Sequence, residues 1–244
     1  MYKNIKSKKG YNINIKEIIP DFVEDIVVAI HGFTGDKESS AILKLAETLN
    51  KQNIGVIALD LPGHGTSEVD GDFLTINNCI NDINEVINYA KEKYNLKQLS
   101  IFATSFGGYL AITLINRYKN NFNKIILRCP AIKMDEILIK EIVDDTNVFK
   151  NKGYIIAGYE RKLKVNYSLY EELLNNKLTT LNTLGYNILI IHGDADTTAP
   201  TTDAINFAKH NNLKINLVKN ADHRFKKPGE LETVIELAIE FINK

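Results

Sequence analysis

Short runs of apolar, largely β-branched residues recur along the chain, and most of them end in a cluster of chemically active residue types. "IVVAI" (26–30) leads into His31-Gly32-Phe33-Thr34-Gly35, and "GVIALD" (55–60) into Leu61-Pro62-Gly63-His64-Gly65. "LSIFA" (99–103) ends at Thr104-Ser105, and "NILIIH" (187–192) at Gly193-Asp194-Ala195-Asp196. "KIILRC" (124–129) is a further run of the same kind. Continuous apolar runs of this length are what strands covered on both faces require. Between them apolar residues fall at helical spacing: Ile42, Leu45, Ala46 and Leu49 in a helix predicted from Asp36 to Gln52, and Ile76, Ile80, Ile83, Ile87 and Ala90 in one from Ile76 to Tyr94. Further helices are predicted at 106–118, 201–210 and 229–242, and further strands at 11–18, where polar and apolar residues alternate, and at 214–218. Strand and helix in alternation predict an α/β fold, a mostly parallel central sheet with helices on both faces. Ligand sites in such sheets lie beyond the carboxyl ends of the strands, which is where the active residue types collect.

One stretch breaks the rhythm. From 132 to 185 the pattern is irregular, rich in Lys, Asn and Tyr, and too long for a simple loop. It is expected to be an inserted lid or cap of short helical pieces, interrupting a core formed by 1–131 and 186–244. The 244 residues carry 30 Lys+Arg against 30 Asp+Glu, so bulk charge offers nothing to nucleic acid or an acidic membrane. Lys3, Lys6, Lys8 and Lys9 read as a solvated edge. No apolar run approaches the roughly 18 residues of a membrane span, and no secretory pattern opens the chain, so a cytoplasmic protein is expected, monomeric or homodimeric. Cys79 and Cys129 are expected to be buried free thiols, and two cysteines do not make a zinc site. Gly107-Gly108 lacks the spacing of a dinucleotide fingerprint. No cofactor or metal is expected.

Ser105 stands between a predicted strand and a predicted helix, among the small residues Ala103, Gly107 and Gly108. A serine hydroxyl needs a neighbouring base to act as a nucleophile, and a tight strand-to-helix turn presents it outward. The same turn puts the Phe106 amide at a helix N-terminus, suited to an oxyanion, with the Phe33 amide as the candidate second donor. A plain serine N-cap is the alternative. Among the five histidines, His223, which follows the last strand, is the candidate base. Asp196 is the candidate acid, with Asp194 and Asp222 as alternatives.

The order Ser105, Asp196, His223 resembles the α/β-hydrolase superfamily, whose triad runs Ser, acid, His along the chain. "ATSFG" is similar to its nucleophile elbow, with Ala103 where the pattern has glycine. "HGFTG" resembles its oxyanion loop, "LDLPGHGTS" the turn after its third core strand, and "HGDADTTAP" its acid-bearing segment. The resemblance implies an α/β-hydrolase fold and a serine carboxylic-ester hydrolase. "HGFTGDKESS" and the tyrosine-bearing insertion look like bacterial cinnamoyl (feruloyl) esterases. That likeness implies a small aromatic ester as substrate, with Asp135 as a phenol contact. Tyr154, Tyr159, Tyr167 and Tyr170 can also bond a ring hydroxyl, Tyr167 and Tyr170 being the chosen contacts; packing of the lid on the core is the alternative. Thioesterases, monoacylglycerol lipases, small-peptide hydrolases and non-catalytic binding proteins share the scaffold.

Overall fold

The structure, a computed structural model, describes residues 1–118, 122–158, 162–178 and 185–244. The strands are β1 (Tyr2–Lys6), β2 (Asn12–Ile18), β3 (Asp25–Ile30), β4 (Ile54–Leu59), β5 (Leu99–Thr104), β6 (Phe122–Arg128), β7 (Tyr154–Ala157), β8 (Leu163–Asn166), β9 (Ile188–Gly193) and β10 (Lys214–Val218). The helices are α1 (Ser40–Asn50), α2 (Ile76–Tyr94), α3 (Phe106–Arg117), α4 (Met134–Glu141), α5 (Thr146–Lys152), α6 (Tyr167–Asn175), α7 (Thr201–His210) and α8 (Glu230–Ile242). Among the described residues the central sheet has the order β1-β2-β4-β3-β5-β6-β9-β10. From β4 to β10 all pairings are parallel, and β2 joins β4 and β1 antiparallel.

The apolar runs become central strands because both their faces are covered. In β3, Ile26, Val28 and Ile30 join the core under α2 and α3, while Val27 and Ala29 join the core under α1 and α8. All five are fully buried. Each such side chain contributes about 1.5–3 kcal/mol of transfer free energy for the larger aliphatics. α2 begins at Thr75, whose side chain accepts the Asn78 N–H, and ends at Asn95 in the left-handed conformation.

The chain passes from β3 through α1 to β4 on one side, then crosses back through α2 to β5 on the other side of β3. The crevice between the ends of β3 and β5 is therefore a topological switch point. Register brings those ends level: Ile30 pairs with Ala103, and Ala103 with Leu127.

The structure departs from the sequence-based expectations in three places. α1 starts at Ser40 rather than Asp36, because Asp36 turns the chain by accepting the Glu38 N–H at 2.7 Å. The basic N-terminus is a solvated edge as expected, with Lys6, Lys8 and Lys9 exposed, but it also forms an edge strand the sequence did not suggest, β1, with Lys3 reaching Glu17 at 3.5 Å. The segment between β6 and β9 contains an antiparallel pair, β7 with β8, besides the helices α4, α5 and α6. Tyr159 lies outside the described residues. Cys79 and Cys129 are buried and free. No helix of the described residues is long and apolar enough to cross a membrane.

Candidate active site

Ser105 follows β5 directly and precedes α3 with φ 52° and ψ −115°. For a residue with a Cβ this backbone costs on the order of 1–3 kcal/mol. Three backbone hydrogen bonds hold it: Ser105 N donates to Arg128 O at 2.9 Å, and Ser105 O accepts from Ala131 N at 3.0 Å and Tyr109 N at 3.1 Å. Gly107 lets α3 pass close to β3, since a Cβ there would lie 2.5 Å from His31 O and 2.7 Å from Ile30 O. The Ser105 side chain caps no helical N–H. Its Oγ lies 3.0 Å from His223 Nε2 instead.

His223 Nδ1 in turn lies 2.7 Å from Asp196 Oδ2. The Asp196 side chain is fully buried and that of His223 is 16% exposed. The remaining oxygen, Asp196 Oδ1, accepts the N–H groups of Thr198 at 3.0 Å and Ala199 at 2.9 Å. Burial raises the Asp196 carboxyl, but hydrogen bonds from His192 and His223 outweigh it and hold the group well below the usual carboxylate range. Asp196 is thus a fixed anion facing an imidazole N–H, and the hydroxyl stands at the imidazole's other nitrogen.

The loops that carry acid and base are zipped together. Asp194 N donates to Val218 O and Ala195 N to Ala221 O, both at 3.1 Å. Gly193 permits the approach, since a Cβ there would lie 2.3 Å from Ala221 O. The two alternative acids brace turns and do not reach His223. Asp194 Oδ1 accepts Asn220 N at 2.5 Å, and Asp222 Oδ1 accepts Arg224 N and Phe225 N at 2.8 Å each. Beneath the His223 loop, the buried Arg128 stacks its guanidinium 4.7 Å from the Phe225 ring centre and donates to Arg224 O at 3.0 Å.

The loop after β3 is held against the same elbow. Gly32 passes so close to Ser105 that an added Cβ would sit 3.2 Å from Ser105 Cβ. The Phe33 and Phe106 rings meet edge to face at 5.5 Å. Among the described residues neither backbone N–H of this pair has a protein acceptor. His31 is buried and structural: Nδ1 lies 2.7 Å from Gly32 O, and Nε2 accepts Leu61 N–H at 3.1 Å. Desolvation lowers its basicity. Asp60, at the end of β4, takes the Lys37 ammonium at 2.6 Å and the N–H groups of Lys37 and Thr66, so one buried carboxylate ties both loops. His210 is exposed on α7.

Between β6 and β9, Asp135 lies in the first turn of α4, buried, and pairs with Lys177 at 3.0 Å. Tyr167 and Tyr170 pack with Phe149, which lies 5.1 Å from the first ring and 6.5 Å from the second. Among the described residues neither tyrosine hydroxyl has a hydrogen-bond partner. Sequence reasoning missed Lys177, Arg128 and the Lys37–Asp60 pair. Only the last left a signal, a charged residue at the end of an all-apolar strand. The potential metal donors that cluster among the described residues are Cys129, His192 and Asp196, within 4.8 Å of one another. Asp196 in that group is already engaged by His223.

Sheet order, elbow and strand-end loops define an α/β hydrolase fold, with a mostly parallel central sheet. The family model described as serine aminopeptidase, S33, matches residues 22–152, and the chain belongs to that family of hydrolases. Solved structures agree on the fold. A hydrolase from Agrobacterium vitis S4 superposes with a TM-score of 0.83 at 20% identity, over 99% of this chain and 98% of that one. Est1E from Butyrivibrio proteoclasticus, solved with ferulic acid bound, gives 0.80 at 21% identity, over 99% of this chain and 100% of that one. Mouse alpha/beta hydrolase domain-containing protein 10 gives 0.80 at 14% identity, over 100% of this chain and 98% of that one. No curated protein sequence matches the chain.

Proposed function

We propose that the protein is a serine ester hydrolase that cleaves small aromatic esters through an acyl-enzyme. The observation that carries this reading is the unbroken relay from Ser105 Oγ to His223 at 3.0 Å and on to Asp196 at 2.7 Å. His223 removes the hydroxyl proton as Ser105 attacks the ester carbonyl, and Asp196 holds the imidazole in the required tautomer and stabilises its cation. The Phe33 and Phe106 amides receive the developing oxyanion, each contribution being worth about 3 kcal/mol in comparable sites. His223 then protonates the leaving alcohol, and water repeats the sequence on the acyl group. The chemistry calls for no metal or cofactor.

The aromatic substrate rests on the lid. Two tyrosine hydroxyls without partners among the described residues, and the Asp135 oxygen not paired with Lys177, offer hydrogen-bonding capacity to a ring hydroxyl. The likeness to Est1E, whose structure holds ferulic acid, points the same way. The family description favours a second reading, release of an N-terminal amino acid. That reaction needs a carboxylate free for the substrate's ammonium group, and the buried lid acid Asp135 already faces Lys177. A panel of methyl p-coumarate, methyl ferulate, p-nitrophenyl butyrate, a long-chain acyl thioester and an aminoacyl p-nitroanilide decides between the readings. The hydroxycinnamates are expected to show the highest kcat/KM. A clear win for the thioester or the anilide overturns the aromatic-ester reading.

A further inference from the structure

Asp196 faces two histidines. On the solvent side is His223; on the core side His192, in β9, places Nε2 3.1 Å from the same Oδ2 and 2.9 Å from Ala199 O. His192 is fully buried. Both neighbours of Nε2 are acceptors, so that nitrogen carries the proton. Nδ1 is buried with no hydrogen-bond partner among the described residues. A second proton there would place a cation in the core with no acceptor for its N–H. His192 is therefore a neutral imidazole whose N–H points at the acid loop.

The other charged or titratable groups around the carboxylate leave this role to His192. From the end of β6, burial pushes the Cys129 thiol up and keeps it protonated, and Arg128 is stacked on Phe225 and bonded to Arg224 O. From the base loop, Asp222 is turned to its own backbone. Asp196 Oδ1 is filled by Thr198 and Ala199. Oδ2 faces two imidazoles, and the protonated Cys129 thiol is a further neighbour of the carboxylate.

We propose that His192 is a positioning residue for the Ser105–His223–Asp196 relay: its Nε2–H joins the carboxylate to the Ala199 carbonyl, locks the carboxylate's rotation, and competes with His223 for Oδ2. The functional meaning rests on the ester-hydrolase reading, but the competition for Oδ2 exists without substrate. With the donor removed, Oδ2 offers its whole charge to His223, the imidazolium is favoured, and a larger share of the base is protonated at neutral pH. The acid limb of kcat/KM moves to higher pH.

The test is an imidazole ¹⁵N NMR titration of wild type, His192→Phe and His192→Gln, each also in a Ser105→Ala background. His223 is expected to titrate about half a unit or more higher in His192→Phe. In His192→Gln, whose amide N–H reaches where Nε2 stood, it should return to within about 0.2 unit of wild type. Wild-type His192 is expected to carry a proton on Nε2, which faces two acceptors. A folded His192→Phe with His223 unmoved overturns the proposal. So does a wild-type His192 that carries its neutral-form proton on Nδ1, a result that needs no variant to fold. Failure of the ester-hydrolase reading looks different: Ser105→Ala would hydrolyse esters at the wild-type rate while the His223 shift persisted.

Discussion

His223 Nε2 lies 3.0 Å from Ser105 Oγ although 118 residues separate the two in sequence. The contact is created by the sheet: β5 delivers the serine and β10 the histidine, both at carboxyl ends. A fluorophosphonate probe is therefore expected to label wild type and not Ser105→Ala, and Ser105→Ala to lose at least about 10³-fold in kcat with p-nitrophenyl butyrate. Intact-mass spectrometry and the ester assay read the two outcomes. Equal labelling of both proteins would remove Ser105 from the mechanism.

The three acidic candidates near His223 separate by what they bond. Asp196 reaches the imidazole, whereas Asp194 holds the Asn220 amide. Asp196→Asn is expected to lower kcat by on the order of 10⁴-fold, because the amide stabilises the wrong tautomer and no cation. Asp194→Asn is expected to stay within a few-fold of wild type. Steady-state kinetics on both variants, with circular dichroism as a check of folding, distinguishes them; the reverse order would exchange their roles.

How much of this was legible follows from what each residue packs against. The central strands were readable because burial on both faces keeps the runs almost wholly apolar, with Ser100 and His192 among the buried exceptions. β1 was not, because its edge position exposes alternate residues, Tyr2, Asn4 and Lys6, and leaves no apolar run to read. The β7–β8 hairpin is only four residues a side, too short for a period to declare itself. Ser105, Asp196 and His223 were readable from their place after strands. His192 was not, since a histidine inside an apolar run reads as core; its only trace is an offset of four residues from Asp196 across a tight turn. Lys177 reaches Asp135 from the far end of the insertion, a pairing no local pattern records.

Asp82, on α2, is buried against Tyr11, which donates its hydroxyl at 2.6 Å. Burial pushes its carboxyl up to about 7, against the lowering effect of the Tyr11 bond, with Glu85 adding to the rise. The folded state therefore holds a proton that the unfolded chain releases near its ordinary pKa of 3.8. The stabilisation is complete below about pH 4 and is lost as pH rises through about 7. Asp82→Asn carries no such proton. Unfolding free energies from urea titration are expected to move in favour of the variant, relative to wild type, by roughly 1–4 kcal/mol between pH 4 and pH 8. A pH-independent difference would refute the assignment.

Gly107 stands where α3 crosses the end of β3, and the clashing atoms are backbone carbonyls, His31 O and Ile30 O. Flexible side chains could move aside, but two strand-end carbonyls move only with the Gly32–Phe33 loop. Gly107→Ala is expected to cost about 3 kcal/mol or more and to displace the loop that carries the Phe33 amide. Thermal unfolding and the ester rate should fall together. Retention of wild-type Tm would mean that the elbow is looser than the close approach implies.

Tyr170 carries a hydroxyl with no partner among the described residues, beside Phe149 and Tyr167. If that hydroxyl meets a ring hydroxyl of the substrate, its removal costs one hydrogen bond, about 0.5–1.5 kcal/mol, or a rise in KM of roughly 2- to 12-fold. Methyl cinnamate, which lacks the ring hydroxyl, supplies the control within the same variant. Tyr170→Phe is expected to raise KM for methyl p-coumarate and leave methyl cinnamate unchanged, with kcat for both preserved because the relay at Ser105 is untouched. Equal changes for the two esters would assign Tyr170 to packing of the lid and leave ring-hydroxyl recognition to Asp135 or Tyr167, each testable by the same pair of substrates.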